Sequence, residues 1–191
     1  MIKVATQIVK SFGDYKREED LLKIVSKLEN TEVLVGIPEE KAPRNEGEVN
    51  NASLLYLHSK GSPLQDIPAR PVIEPALEAS GNKERVQEDL KKITKLLLDG
   101  KVDQARRMMD LAGQDAVNMI KAWFTDSRNG WPPNSPLTVL EKLDKRFKSV
   151  KKKRELYRQY KMGKTGINTV LVDTGQMRNA ITYVVRNKEN D

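Results

Sequence analysis

Asp103-Gln-Ala-Arg-Arg-Met-Met-Asp-Leu-Ala-Gly-Gln-Asp-Ala-Val-Asn-Met-Ile-Lys-Ala-Trp123 is the stretch that decides the fold. Ala105, Met108, Met109, Ala112, Ala116, Met119, Ile120 and Trp123 recur at intervals of three and four, which places all of them on one face of a long helix. Upstream, Val86, Leu90, Ile93 and Leu97 form a second seam of the same period. Asp99-Gly100 ends that seam, with glycine in the left-handed cap position, and Asp103 is placed to cap the helix that follows. Helices joined by so short a connection pack as an antiparallel hairpin. The methionines of the stripe read as core, with an adaptable binding groove as the alternative.

Working outward from the hairpin, Thr31-Glu-Val-Leu-Val-Gly-Ile37 alternates like a strand buried by its neighbours, and Pro38 ends its pairing. Residues 39–49 read as an exposed loop. Asn50 or Asn51 caps a short helix through His58, which Gly61-Ser-Pro63 stops. Pro68 and Pro71 bracket an extended Ala-Arg pair, with Pro71 as first residue of the hairpin's helical region. Further upstream, 18–28 has amphipathic helical spacing, whereas 2–12 fits a strand or a helix equally. Downstream, Asp126–Asn134 is rich in turn residues, and Ser135-Pro136 opens a helix with a cap and a first-turn proline. Asp173-Thr-Gly-Gln176 has capping-box spacing before a short helix to Ala180. Ile181, Tyr183 and Val185 then alternate as a closing strand beside residues 31–37.

With 191 residues and 38% hydrophobic side chains, the chain suits one packed domain. No apolar run reaches the length of a membrane span, and the opening residues lack a secretory signal pattern, so a cytosolic site of folding is expected. Zero cysteines exclude disulfides and thiolate chemistry, and a single histidine, His58, excludes His-based triads and two-His metal sites within one chain. The net charge of +7 is unevenly spread: Lys142–Lys164 holds eleven Lys or Arg against Asp144 and Glu155, while the remainder is close to neutral. This is a basic arm over about 139–166, expected as a helix from 136 to 162 with Leu156, Tyr157 and Tyr160 along a thin apolar edge. It faces DNA phosphate or an acidic protein, or it is a solvated helix face.

The remaining constellations are weak. Lys161-Met-Gly-Lys-Thr-Gly166 ends like a phosphate-binding loop, but Arg158 stands where the first glycine belongs. Glu18-Glu19 and Glu39-Glu40 diverge in direction and form no acid–base pair. His58 reads as a hydrogen-bonded buried residue, a contact residue or a weak metal ligand. Asn51-Ala-Ser53 is a sequon without meaning in a cytosolic chain. No catalytic residue, cofactor or metal site is assigned.

Three segments, in order, resemble the tail-completion and neck proteins of long-tailed bacteriophages, the virion-morphogenesis group. Leu55-Tyr-Leu-His58, Gly61-Ser-Pro63, Ile67-Pro-Ala-Arg-Pro71 and Pro75-Ala-Leu77 are similar to that family's tyrosine, histidine and glycine block leading into "IPARPF" and a long helix. Trp131-Pro-Pro-Asn-Ser-Pro-Leu-Thr138 resembles its proline, serine and threonine block, and Leu171–Tyr183 its "DTG" segment and last strand. Val72 replaces the usual aromatic, and the interval from Thr138 to Leu171 is longer than typical, filled by the basic arm.

The resemblance implies a non-enzymatic virion subunit at the head–tail joint. It would assemble in the host cytoplasm as a ring, a hexamer by that likeness, against the head connector and a tail tube or tail terminator protein, with genome DNA in the channel and no membrane. Contact residues expected on this basis are Pro68, Arg70, Pro71, Trp131, Asp173, Thr174 and Gln176, with a fold-forming role as the alternative for most of them. Lys151, Lys152, Lys153, Arg154 and Arg158 would face DNA or an acidic partner. The rival readings are a cytosolic nucleic-acid-binding protein acting through the same arm and a nucleotide-using assembly factor. The expected fold is α+β: a small antiparallel or mixed sheet of residues 31–37 and 181–186 packed on a helical hairpin from about 71 to 124, with the basic arm attached, in a single domain over 1–191.

Overall fold

The computed structural model describes residue 26 and residues 30–44, 49–163, 170–172 and 174–187. The expectations for residues 2–12, nearly all of the 18–28 helix, Lys164-Thr-Gly166 and Asp173 lie outside the described residues. The chain is mostly helical with a two-stranded antiparallel sheet, an α+β arrangement. In order, the regular elements are β1 (Thr31–Gly36), α1 (Asn51–Lys60), α2 (Ile73–Glu78), α3 (Asn82–Leu98), α4 (Val102–Trp123), α5 (Pro136–Arg146), α6 (Val150–Lys161), α7 (Gln176–Ala180) and β2 (Thr182–Asn187).

α3 and α4 form the hairpin. The turn between them satisfies the last carbonyls of α3 through Gly100 N–H to Leu97 O at 3.0 Å and Lys101 N–H to Leu96 O at 2.9 Å, with Gly100 at φ +71°. A side chain would be strained in that left-handed conformation, which is why glycine stands there. Arg85 on α3 reaches Asp115 on α4 at 2.7 Å across the outside of the pair.

The stripe on α4 serves two cores. Near its start, Ala105 and Met109 pack with Ile93 and Leu97 of α3 and with Val33 and Val185 of the sheet. Toward its end, Ile120, Trp123 and Phe124 pack with Leu55, Val72, Ala76, Met177 and Ile181. Fully burying each of the larger aliphatic side chains contributes about 1.5–3 kcal/mol. β1 and β2 pair Val33 with Val185, Leu34 with Val184 and Val35 with Tyr183. Alternation turns Val33, Val35 and Val185 toward the cores, and leaves Leu34 and Val184 exposed on the opposite face.

Several expectations need correction. β1 is not buried on both faces, because among the described residues nothing covers Leu34 and Val184. The strand ends at Gly36 rather than Ile37, and Ile181 is a buried core residue just before β2. Pro71 does not open a helix: α2 starts at Ile73, after Val72, and is separated from α3 by Gly81 at φ +86°. Asp103 does not cap α4 but sits in its first turn, behind Lys101. On α3 the expected seam holds at Ile93 and Leu97, which are buried, but Leu90 is exposed and Asp89 is buried in its place. The exposed loop after Pro38 contains a helical turn at Glu39–Lys41 and the buried Ala42.

The arm is also different. A continuous helix over 136–162 is replaced by α5 and α6, broken at Phe147-Lys148-Ser149. Ser149 Oγ accepts from Lys152 N–H and restarts the helix, while Phe147 is held in extended backbone at φ −130°. The break lets α6 fold back, so that Tyr157 and Val150 face Leu140 and Leu143 of α5.

Gly113, inside α4, fixes how closely the sheet approaches. A Cβ there would collide with the Tyr183 ring, 2.6 Å from Cγ. Gly113→Ala should gain about 1 kcal/mol of helix propensity and lose about 1–3 kcal/mol to overpacking. A net loss of stability of up to about 2 kcal/mol is expected from the urea-unfolding midpoint, with Gln114→Ala on the exposed face as a neutral comparison.

Candidate functional site

The three resemblance segments meet in space. Arg70, only 6% exposed, donates from Nε to Pro132 O at 3.1 Å and from Nη2 to Pro132 O and Pro133 O, each at 3.0 Å. In the reverse direction, Trp131 Nε1 donates to Pro71 O at 3.0 Å. Prolines hold these backbones extended and supply no N–H of their own, so their carbonyls are available to a side-chain donor. Trp131 stands edge-on to Phe124, with ring centroids 5.8 Å apart. Lys142 on α5, 8% exposed, donates to Val172 O at 2.9 Å and ties the third segment to the helix that follows the second.

Between these segments lies a cleft of about 490 Å³. Leu54 and His58 of α1 form one wall, Asp66, Ile67, Pro68 and Arg70 another, and Ser135, Thr138, Glu141, Lys142 and Lys145 at the start and along the side of α5 a third. Leu171, Thr174, Gln176 and Met177 close it. Arg44 reaches in from the loop after β1, donating to Asn51 Oδ1 at 3.2 Å. Asn51 is itself buried and donates to Lys41 O and Pro43 O, so the residue at the head of the sequon is the anchor of that loop. Asn50 is the helix cap, accepting from Ser53 N–H at 2.8 Å.

Of the expected contact residues, Pro68, Arg70, Thr174 and Gln176 come together in the cleft. Pro71 and Trp131 do not line it, and bond to each other instead. The capping box expected from Asp173 falls outside the described residues; α7 follows Gly175, at φ +79°, with Gln176 N–H directed to Thr174 Oγ1 at 3.4 Å. The cleft also gathers Arg44, Lys142 and Lys145, which no local signal in the sequence marks for it. Lys142 and Lys145 belong to the basic run, but their positions around a cavity depend on how α5 packs against segments distant in sequence.

The arm's cations separate into two groups. Lys151, Lys152, Arg154 and Arg158 are exposed, with Lys151, Arg154 and Arg158 at spacings of three and four along one face of α6. Lys153 instead turns inward and pairs with Asp144 at 2.6 Å, so it belongs to the α5–α6 contact rather than to a free phosphate-facing row. Lys152 Nζ lies 4.6 Å from the centre of the Phe147 ring, and Lys161 Nζ 5.4 Å from that of Tyr157. Tyr160 Oη donates to Asn134 O at 2.9 Å and ties α6 to the residue before the α5 cap. No family model, curated protein or solved structure matches the chain.

His58 is partly buried and its Nδ1 has no hydrogen-bond partner, which leaves the hydrogen-bonded reading of this residue without support. Burial first, then the charges of Arg70 and Arg44, push its pKa below the ordinary 6.5. In the unfolded chain the imidazole takes up its proton at higher pH than in the fold. Stability is therefore complete above about pH 6.5 and falls as pH drops toward the folded value. His58→Gln should flatten this slope between about pH 7.5 and 5.5, measured by urea unfolding at several pH values. Arg70→Ala, which strands the Pro132 and Pro133 carbonyls, should lower stability by about 2–3 kcal/mol. Thermal or urea unfolding followed by circular dichroism reads that loss directly.

Proposed function

We propose that this chain is a structural subunit of the head–tail joint of a long-tailed bacteriophage, a tail-completion or neck protein that assembles as a ring and joins or seals the tail to the DNA-filled head. The observation that carries the reading is the clasp between distant segments. The first two segments that resemble the family bond to each other through Arg70 and Trp131, and the third joins them in one core through Leu55, Trp131, Met177 and Ile181. Segments that form one physical unit are what a shared fold requires.

Cyclic assembly needs two different complementary patches on each subunit. One candidate is the loop after α1, where Leu64 is 100% exposed on a turn held rigid by paired bonds between Ser62 and Ile67, at 2.8 and 3.0 Å. The other is α6, whose cationic row offers charge to a neighbour or to DNA. Many copies around a channel multiply a modest phosphate attraction, so a weak monomer can become an effective ring.

The same row of Lys151, Arg154 and Arg158 favours the second reading, a nucleic-acid-binding protein acting through the arm. Light scattering and electron microscopy of the full chain, alone and with phage particles, test the first reading: rings or neck density are expected, and a permanent monomer absent from particles overturns it. Binding of the isolated chain to duplex DNA should be weak. Replacing Lys151, Arg154 and Arg158 with Gln should reduce the slope of log affinity against log salt by up to about 2.7, roughly 0.9 for each phosphate no longer neutralised.

A further inference from the structure

Among the described residues, Arg70 is a buried cation without an anion. There its side-chain hydrogen bonds all go to the uncharged carbonyls of Pro132 and Pro133, it forms no ion pair, and its Nη1 makes no hydrogen bond. A charge removed from water is ordinarily compensated by an opposite charge, because carbonyl dipoles satisfy its N–H groups without neutralising it. Burial correspondingly pushes the guanidinium's pKa down, with no carboxylate opposing the shift. Arg70 is also part of the wall of the 490 Å³ cleft, beside Arg44, Lys142 and Lys145.

The geometry points to this cleft as a receptor for a single carboxylate, presented by an acidic side chain of a neighbouring polypeptide, with Arg70 Nη1 as the donor and Arg44 and Lys145 supplying further positive charge. Three features select the ligand. The guanidinium edge that would grip a phosphate with two parallel bonds is already occupied by the two proline carbonyls, so one nitrogen remains for one oxygen. Asp66 and Glu141 also line the cleft, and repel a polyanion such as nucleic acid more than a singly charged group. Leu54, Ile67, Leu171 and Met177 provide apolar surface suited to the aliphatic part of a peptide segment. The inference stands on the cleft alone, so its failure leaves the assembly reading untouched.

His58, the only histidine in the chain, lines the same cleft and reports on it. Among the described residues, the titratable and charged groups around it are Arg44, Asp66, Arg70, Glu141, Lys142 and Lys145. The full-length protein is titrated with the α-amide of N-acetylglutamate, which carries one side-chain carboxylate, and separately with inorganic phosphate, at ionic strength held constant with sodium chloride, following the His58 imidazole proton by NMR. A saturating shift with the glutamate derivative is expected, together with a rise in the His58 pKa, since an anion nearby favours the imidazolium. Lys145→Gln, at an exposed position, should weaken that binding about two- to fivefold. Its fold is checked by circular dichroism, which avoids relying on Arg70 variants that disturb the clasp. Saturation by phosphate at lower concentration than by the glutamate derivative would overturn the carboxylate assignment. A shift that is linear, reproduced by chloride, or unchanged in Lys145→Gln overturns the site.

Discussion

The guanidinium of Arg70 on two consecutive proline carbonyls is the constraint on which the rest of this structure depends. Pro132 and Pro133 cannot form regular backbone pairing, so their segment has no secondary structure to fix its course. The arginine fork supplies the missing order by bonding both carbonyls at 3.0 Å, and Trp131 returns a bond to Pro71. Lysine would not substitute, because a point ammonium lacks the planar geometry that spans two acceptors. The clasp sets where Ser135 lies, and Ser135 caps α5 by accepting from Thr138 N–H at 3.1 Å. The orientation of the arm is thus decided by a contact more than sixty residues distant in sequence.

α4 provides the other organising element. Its apolar stripe is long enough to serve two separate cores, one against α3 and the sheet, the other against α1, α2 and α7. The two meet near Gly113, where the absence of a side chain admits the ring of Tyr183. A two-stranded sheet has little stability of its own, so this close approach supports β1 and β2 as much as their hydrogen bonds do. The other face of the sheet, with Leu34 opposite Val184, remains apolar and open among the described residues.

Charge in the arm acts at two levels. Lys142 is drawn into the fold and Lys153 into an ion pair, so the basic composition overstates what reaches outward. What remains on α6 is an ordered row, and what surrounds the cleft is a concave cluster around a buried arginine. These are different surfaces with different electrostatics. An exposed row attracts phosphate at long range and is screened by salt, whereas a recessed cation acts on a single group at short range and is screened much less.

Much of the local structure was legible in the residues themselves. The hairpin turn at Asp99-Gly100, the α4 stripe, the Ser135-Pro136 opening and the two strands themselves follow from short windows of periodicity, capping and backbone restriction, whereas the antiparallel sense of their pairing does not. Where two local signals competed, the tertiary contact won: Asp103 yielded the cap position, Leu90 turned outward while Asp89 turned in, and the arm broke at Phe147 so that Tyr157 could cover Leu143. The candidate site was only partly readable. Arg70, Pro68, Thr174 and Gln176 stood out through resemblance, with His58 in the same block as the first two, but nothing nearby in the chain announces Arg44, Lys142 and Lys145 as their neighbours. Composition and spacing determined which helices form, because helix energetics are set within a few residues. Only the tertiary structure decided the cleft and the unpaired charge within it, because a cavity is made by segments that meet across dozens of residues and carry no local signal of one another.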